Sequence, residues 1–255
     1  MRPIHTRAVV RCSVLACLLI AGARDAGAQI PDEYTNLTVV PKEITKSELV
    51  GLMREVASSL GVRCAYCHVG PDDLQGMDFA SDEKAVKRTA RTMMKMVDEI
   101  NGRHLKAIET GRAETTRVRC VTCHRGLTVP KPIQEILDAE IEANGVGAAL
   151  AKYRELREQH FGSAAYDFSQ GPLNWIVEKL AREQRLDDAL AIAAANVELN
   201  PTEAYARLLL GRLHVMRDER EQAIAAFREA LELDPENAWA KTQLEELTAA
   251  GDEQE

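Results

Sequence analysis

Apolar positions along this chain recur every three or four residues, the spacing of helices that bury one face. Leu49, Leu52, Met53, Val56 and Leu60 share a helical face. Thr45-Lys46-Ser47-Glu48 stands in front of them with the form of a capping box, and Gly61 predicts the stop. Val86, Ala90, Met93, Val97 and Ile100 repeat the spacing, with Ser81 as the expected cap and Asn101-Gly102 as the expected weak point. Pro31 and Pro41 make the stretch before this pair an extended lead-in, and Gly70 to Gly76 reads as a loop. A polar, arginine-rich loop follows the second helix, and Pro130 and Pro132 close the segment. Residues 134–168 read as one or two helices broken near Gly145 and Gly147.

Further on, the pattern repeats itself. Asn200-Pro201 and Asp234-Pro235 are 34 residues apart, as are Leu199 and Leu233, and Ala189 and Ala223. The second unit sets Leu210-Gly211, Ala223, Phe227, Ala230 and Pro235 where tetratricopeptide repeats have their signature residues. Residues 171–250 thus resemble that family, as two units and a capping helix. The first unit departs from it, with Ala193 where Phe227 stands in the second. Such units are stabilised by stacking and three are usually wanted, so this pair is expected to lean on what precedes it.

Composition agrees with an all-α chain. Aromatic residues are only 4%, while Ala, Leu, Glu and Arg are plentiful, which favours helix over sheet. A large flat cofactor would also supply ring surface that the side chains lack. The formal charge of −8 lacks the basic footprint of a nucleic-acid binder and suits a soluble protein with a basic partner.

The N-terminus reads as an export signal over residues 1–28. Arg2, Arg7 and Arg11 precede the apolar run Val14 to Ala23, and Ala26-Gly27-Ala28 supplies a small-x-small cleavage pattern. That run is shorter than the roughly 20 residues of a bilayer span, which argues against an uncleaved anchor. A lipid attachment at Cys17 fits less well, because the residues before it match the lipoprotein box imperfectly. Cleavage after Ala28 leaves a net charge of −11 and removes Cys12 and Cys17. The expected location is periplasmic, with no membrane span after cleavage.

Every cysteine left then lies in a Cys-x-x-Cys-His motif: Cys64, Cys67 and His68, and Cys120, Cys123 and His124. This is a haem-attachment signature. On a helix the two thiols lie about one turn apart, along one haem edge, and the next residue brings an imidazole under the iron. The spacing predicts two covalently bound haem c groups held by Cys64, Cys67, Cys120 and Cys123, with His68 and His124 on the irons. Four cysteines in two pairs also match a structural zinc site or plain disulfides. Neither accounts for a histidine after each pair. For the sixth iron ligand the residues alone leave a choice. Met53 is either a ligand or core filler on its apolar stripe. Met93, Met94 and Met96 cluster before the second motif, and His104 lies closer to it. His160 and His214 read as surface or packing residues.

Residues 33–133 resemble one dihaem half of the photosynthetic reaction centre cytochrome c subunit family. The resemblance rests on Asn36-Leu37, Val40-Pro41-Lys42, Leu52-Met53, and Ser59-Leu60-Gly61-Val62 running to Cys64. It continues in Thr89-Ala90-Arg91 with the methionine cluster, Ile100-Asn101, Val121-Thr122, and Arg125-Gly126. It implies Met53 as sixth ligand of the first haem and Met93 of the second, and it demotes His104. This chain departs from that subunit in having two motifs rather than four and in ending in helical repeats.

The expected order is therefore a signal peptide at 1–28, a dihaem cytochrome domain at 29–133, linking helices at 134–170 and repeats at 171–250. Six-coordinate irons leave no open position for substrate, which predicts a one-electron carrier rather than an enzyme. Redox partner proteins are the expected partners, docked by the repeats. Two other readings are a dihaem peroxidase-like enzyme, with one iron open, and a repeat-based assembly scaffold with auxiliary haems.

Overall fold

The computed structural model describes residues 30–108 and 116–252. The expected signal peptide, with Cys12 and Cys17, lies outside the described residues. All regular structure described is helical, apart from one antiparallel bridge between Val69 and Asp78. No described helix is long and apolar enough to cross a membrane.

Helix α1 (Lys46–Leu60) starts at the capping box. Glu48 N donates to Thr45 Oγ1 at 3.3 Å while Thr45 N donates to Glu48 Oε2 at 3.0 Å, which satisfies two amides the helix itself leaves open. Gly61 ends it at φ +68°. A Cβ there would lie 2.3 Å from Gly126 O, so the position needs glycine both for its backbone and for the second motif's close approach. Helix α2 (Cys64–Cys67) carries the first motif, and α3 (Ala85–Glu99) follows a loop.

Ser81 is not the cap of α3. Lys84 holds that position, and Ser81 Oγ instead accepts from Glu83 N within the loop. The loop is fixed by other groups: Asp78 Oδ1 accepts from Ala80 N and Ser81 N, and the Lys87 ammonium gathers the carbonyls of Phe79, Ala80 and Ser81. Those carbonyls are turned inward to a side chain, so the segment cannot begin the helix. At Asn101-Gly102, the expected weak point, the regular α-helix has already given way. The chain widens into a π-turn over Ile100–His104 and tightens into a 3-10 turn over Leu105–Ala107. Helix α4 (Cys120–His124) carries the second motif.

Helices α5 (Ile133–Asn144) and α6 (Val146–His160) break at Gly145, φ +85°. Then α7 (Gln170–Arg182), α8 (Leu186–Leu199), α9 (Ala204–Met216), α10 (Arg220–Leu233) and α11 (Ala238–Asp252) follow with a strict period. Both boundaries of α9 lie 34 residues after those of α7, both boundaries of α10 lie 34 after those of α8, and α11 begins 34 after α9. The pair leans on what precedes it: α5 packs on α7 and α6 on α8, and Ile133, Leu137, Tyr153, Leu173, Ile176 and Ile192 share one buried core.

Burial is divided unevenly. Between residues 30 and 132 the buried apolar side chains, among the described residues, are Leu49 and Met77, and all the others lie at Ile133 or beyond.

Candidate functional site

The two motifs are built alike and finished differently. Arg63 and Arg119 precede them in extended backbone, at φ −103° and −126°, and each motif then turns once as a helix. That single turn sets Cys64 near Cys67 and Cys120 near Cys123. In the first motif His68 leaves the helix at φ −105°, with its N–H on Cys64 O at 3.0 Å. In the second, His124 remains helical and Arg125 turns the chain at φ +49°. Thr122 Oγ1 accepts from Arg119 N at 2.9 Å, a bond for which the first motif has Tyr66 in place of a hydroxyl near the backbone.

Each imidazole is oriented by a backbone carbonyl. His68 Nδ1 is 3.2 Å from Phe79 O, and His124 Nδ1 is 2.8 Å from Leu127 O. A carbonyl only accepts, so Nδ1 carries the proton in both rings and Nε2 keeps its lone pair. This is the arrangement in which a histidine ligates a metal through Nε2 with its other nitrogen held by an outer partner. Phe79 also meets the His68 ring edge-on, with centroids 5.1 Å apart. Burial, then the charge of Lys87, pushes the His68 imidazole below its ordinary value, which keeps it neutral and able to ligate. Burial pushes the Cys67 and Cys120 thiols up.

All four motif thiols are unpaired. Among the described residues no three His, Cys, Asp or Glu side chains converge as a metal-holding group, so the two cysteine pairs do not form one four-sulfur site. The donor set of each motif, two thiols one helical turn apart in the chain and an imidazole on the next residue with its Nε2 lone pair left uncommitted, fits covalent haem c.

The helices before the motifs pack crosswise. Helix α1 packs on α4: Glu55 Oε1 accepts from Arg119 Nε at 2.9 Å, and Ser59 O accepts from Gly126 N at 2.8 Å. Helix α3 packs on α2, with Lys84 Nζ donating to Ala65 O. Met53 is half-buried on α1, Met93 and Met96 are exposed on α3, and Met94 is half-buried. His104 is exposed in the π-turn. His160 packs edge-on against Tyr166 at 5.3 Å, and His214 Nδ1 is 2.7 Å from Glu219 Oε2, so both serve local packing.

Sequence reading did not single out Lys87, Phe79, Leu127 or Met77, the one methionine buried among the described residues. Lys87 reads as a solvated helix charge, and carbonyls carry no sequence signal. Near the second motif a cleft of about 520 Å³ runs between Cys123, Arg125 and Leu127 on one side and Tyr166 and Trp175 on the other. The second site therefore borders the helical-repeat half.

Residues 19–208 match the family described as photosynthetic reaction centre cytochrome C subunit. Cytochrome c-554 of Chloroflexus aurantiacus is 33% identical over 73 residues, a stretch that is 29% of this chain and 16% of that relative. Among solved structures, the crystal structure of MamA aligns at 22% identity and TM-score 0.33 over 46% of this chain and 66% of that one. The C-terminal TPR-containing domain of a Plasmodium falciparum FK506-binding protein aligns at 17% identity and TM-score 0.31, over 48% and 87%.

Proposed function

Because the chain belongs to the photosynthetic reaction centre cytochrome C subunit family, we propose that it is a periplasmic dihaem carrier passing single electrons between protein partners. A c-type cytochrome binds haem c and works in electron transfer rather than catalysis. The finer reading assigns one haem to Cys64, Cys67 and His68 and another to Cys120, Cys123 and His124, in a domain spanning residues 29–133. The observation that carries it is the pair of Nδ1 bonds to Phe79 O and Leu127 O, which leave both Nε2 atoms as free donors on the residues that follow the thiol pairs. The poverty of buried apolar side chains in this half, together with exposed Met93, Met96, Tyr66 and Val121, supports large apolar groups as part of its core.

Met53 and Met93 are the proposed sixth ligands. At 3.6 residues per turn, Met53 points about 160° from Glu55 and about 120° from Ser59, the two residues that meet α4. Met93 stands in the same relation to Arg91 and Lys87. Met53 thus lies away from the α1 residues bonded to the second motif, and Met93 away from the α3 residues bonded to the 79–82 loop. When bound, the haems supply the one-electron couple. The protein's part is to fix the ligands, shape the surroundings and present a docking surface, for which the repeats over 171–250 are proposed.

Intact-mass analysis of protein matured with haem-ligation machinery tests the reading. Two haem masses that survive denaturation are expected, and the mass of bare polypeptide, or of one haem, would sink it. Optical titration of Met53→Ala and Met93→Ala tests the ligands, each of which should lower a different midpoint. Peroxide added to the oxidised protein should leave the spectrum unchanged, and a shift would favour the peroxidase-like alternative.

A further inference from the structure

Lys87 is a lysine 8% exposed in a half with almost no buried side chains of any kind. Its Nζ lies 2.8 Å from Phe79 O, 3.0 Å from Ala80 O and 2.7 Å from Ser81 O, so the three N–H groups of an ammonium each have a carbonyl. Asp82 Oδ1 is farther away, at 3.3 Å, and the same carboxylate is held more closely by Arg91 at 2.7 Å. Two cations thus share one anion, and Lys84 adds a third cation on the adjoining turn. Asp78, the other acid here, spends Oδ1 on the amides of Ala80 and Ser81.

Phe79 O is the important acceptor, because it takes both Lys87 Nζ and His68 Nδ1–H. The second site has no counterpart. Leu127 O accepts from His124 among the described donors, Arg119 is paired with Glu55 at 2.9 Å, and Arg125 beside His124 is exposed, where water screens it.

We propose that Lys87 is a positioning residue for His68 that raises the reduction potential of the first haem site. The inference rests on the reading of His68 as an axial ligand. Two effects act in the same direction. An oxidised iron carries one more positive charge than a reduced one, so a buried ammonium nearby disfavours the oxidised state. A carbonyl already polarised by an ammonium is also a weaker acceptor for the imidazole N–H. That makes Nε2 a poorer electron donor to the iron.

The test is an optical redox titration of the matured full chain and of Lys87→Met, Lys87→Arg and Asp82→Asn. In Lys87→Met one midpoint should fall by roughly a tenfold change in the reduction equilibrium, about 59 mV for one electron, while the other stays put. Lys87→Arg should retain most of the original value, since it keeps the charge. Asp82→Asn removes the compensating carboxylate and should raise that same midpoint. No change, an equal change in both midpoints, or Lys87→Arg behaving like Lys87→Met would overturn the inference. Should Lys87→Met fail to mature, Asp82→Asn decides alone: a rise in one midpoint supports the proposal and no shift overturns it. Intact mass and a low-spin spectrum, read on the unaltered chain, check the ligand reading separately.

Discussion

Asn101 and Val118 clasp each other through both atoms of the asparagine amide. Nδ2 donates to Val118 O and Oδ1 accepts from Val118 N, each at 2.8 Å, across 17 residues of chain. The π-turn at Ile100–His104 presents this side chain, and Val118 stands two residues before Cys120 in backbone without regular structure. A π-turn inside an α-helix commonly marks a position with a specific task. Here it pins the strand of chain that delivers the second motif.

Replacing Asn101 by Leu removes both bonds and leaves Val118 N and O without them. The expected loss is about 1–3 kcal/mol. Urea unfolding should show a lower midpoint with an unchanged slope. In haem-loaded protein the spectrum of one site should be disturbed and the other preserved. An unchanged midpoint would show that the clasp carries no stability.

Two glycines of one helix and its cap should respond in opposite directions. Gly61→Ala forces an alanine to φ +68° and drives its Cβ into Gly126 O, so it should cost about 1–3 kcal/mol or more. Gly51, exposed inside α1, has no atom within 4 Å of an added Cβ. Gly51→Ala should stabilise by about 0.5–1 kcal/mol through lower unfolded-state entropy. Thermal melts of the two variants beside the parent check the sign.

The repeats exchange a knob and a hole. Phe227 is fully buried in the second unit, and a Cβ on Gly211 would meet its ring at 2.6 Å. One period earlier, Val177 stands at the glycine position and Ala193 at the phenylalanine position, both 1% exposed. Phe227→Ala should cost about 3–5 kcal/mol. Adding Gly211→Val to it recreates the first unit's pairing and should recover part of the loss, although Gly211→Val alone destabilises. Chemical unfolding of the two single variants and the double gives the coupling, and strict additivity would refute the exchange.

Asp82 should make stability depend on pH in the acid range. The hydrogen bond from Arg91, at 2.7 Å, and the neighbouring Lys87 ammonium hold its carboxyl well below the ordinary 3.8. A carboxyl lowered on folding contributes stability that is present above its unfolded value and is lost as pH falls toward its folded value. The stability difference between the parent chain and Asp82→Asn should therefore be largest above about pH 5 and shrink as pH falls below 4. Urea unfolding at several pH values checks this, and a difference independent of pH would contradict it.

The two Cys-x-x-Cys-His spacings, the capping box at Thr45, the break at Gly145 and the 34-residue period were legible in the chain, because each is a local pattern: a spacing, a cap, a repeat of burial. Ala193 departs from the repeat pattern in the chain, and the structure buries it in one core with Val177, which stands where the second unit has Gly211. Ser81 looked like a cap, because a serine before a helical stripe has the right chemistry there. Only the tertiary structure decided that Lys87 would claim its carbonyl and hold the segment as a loop. The crosswise packing of α1 on α4, the clasp of Asn101 on Val118, and the carbonyls that orient His68 and His124 were decided in the same way. Helical periodicity reports which face of an element is buried. It says nothing of which distant backbone that face meets, and an acceptor carbonyl has no side chain to announce it.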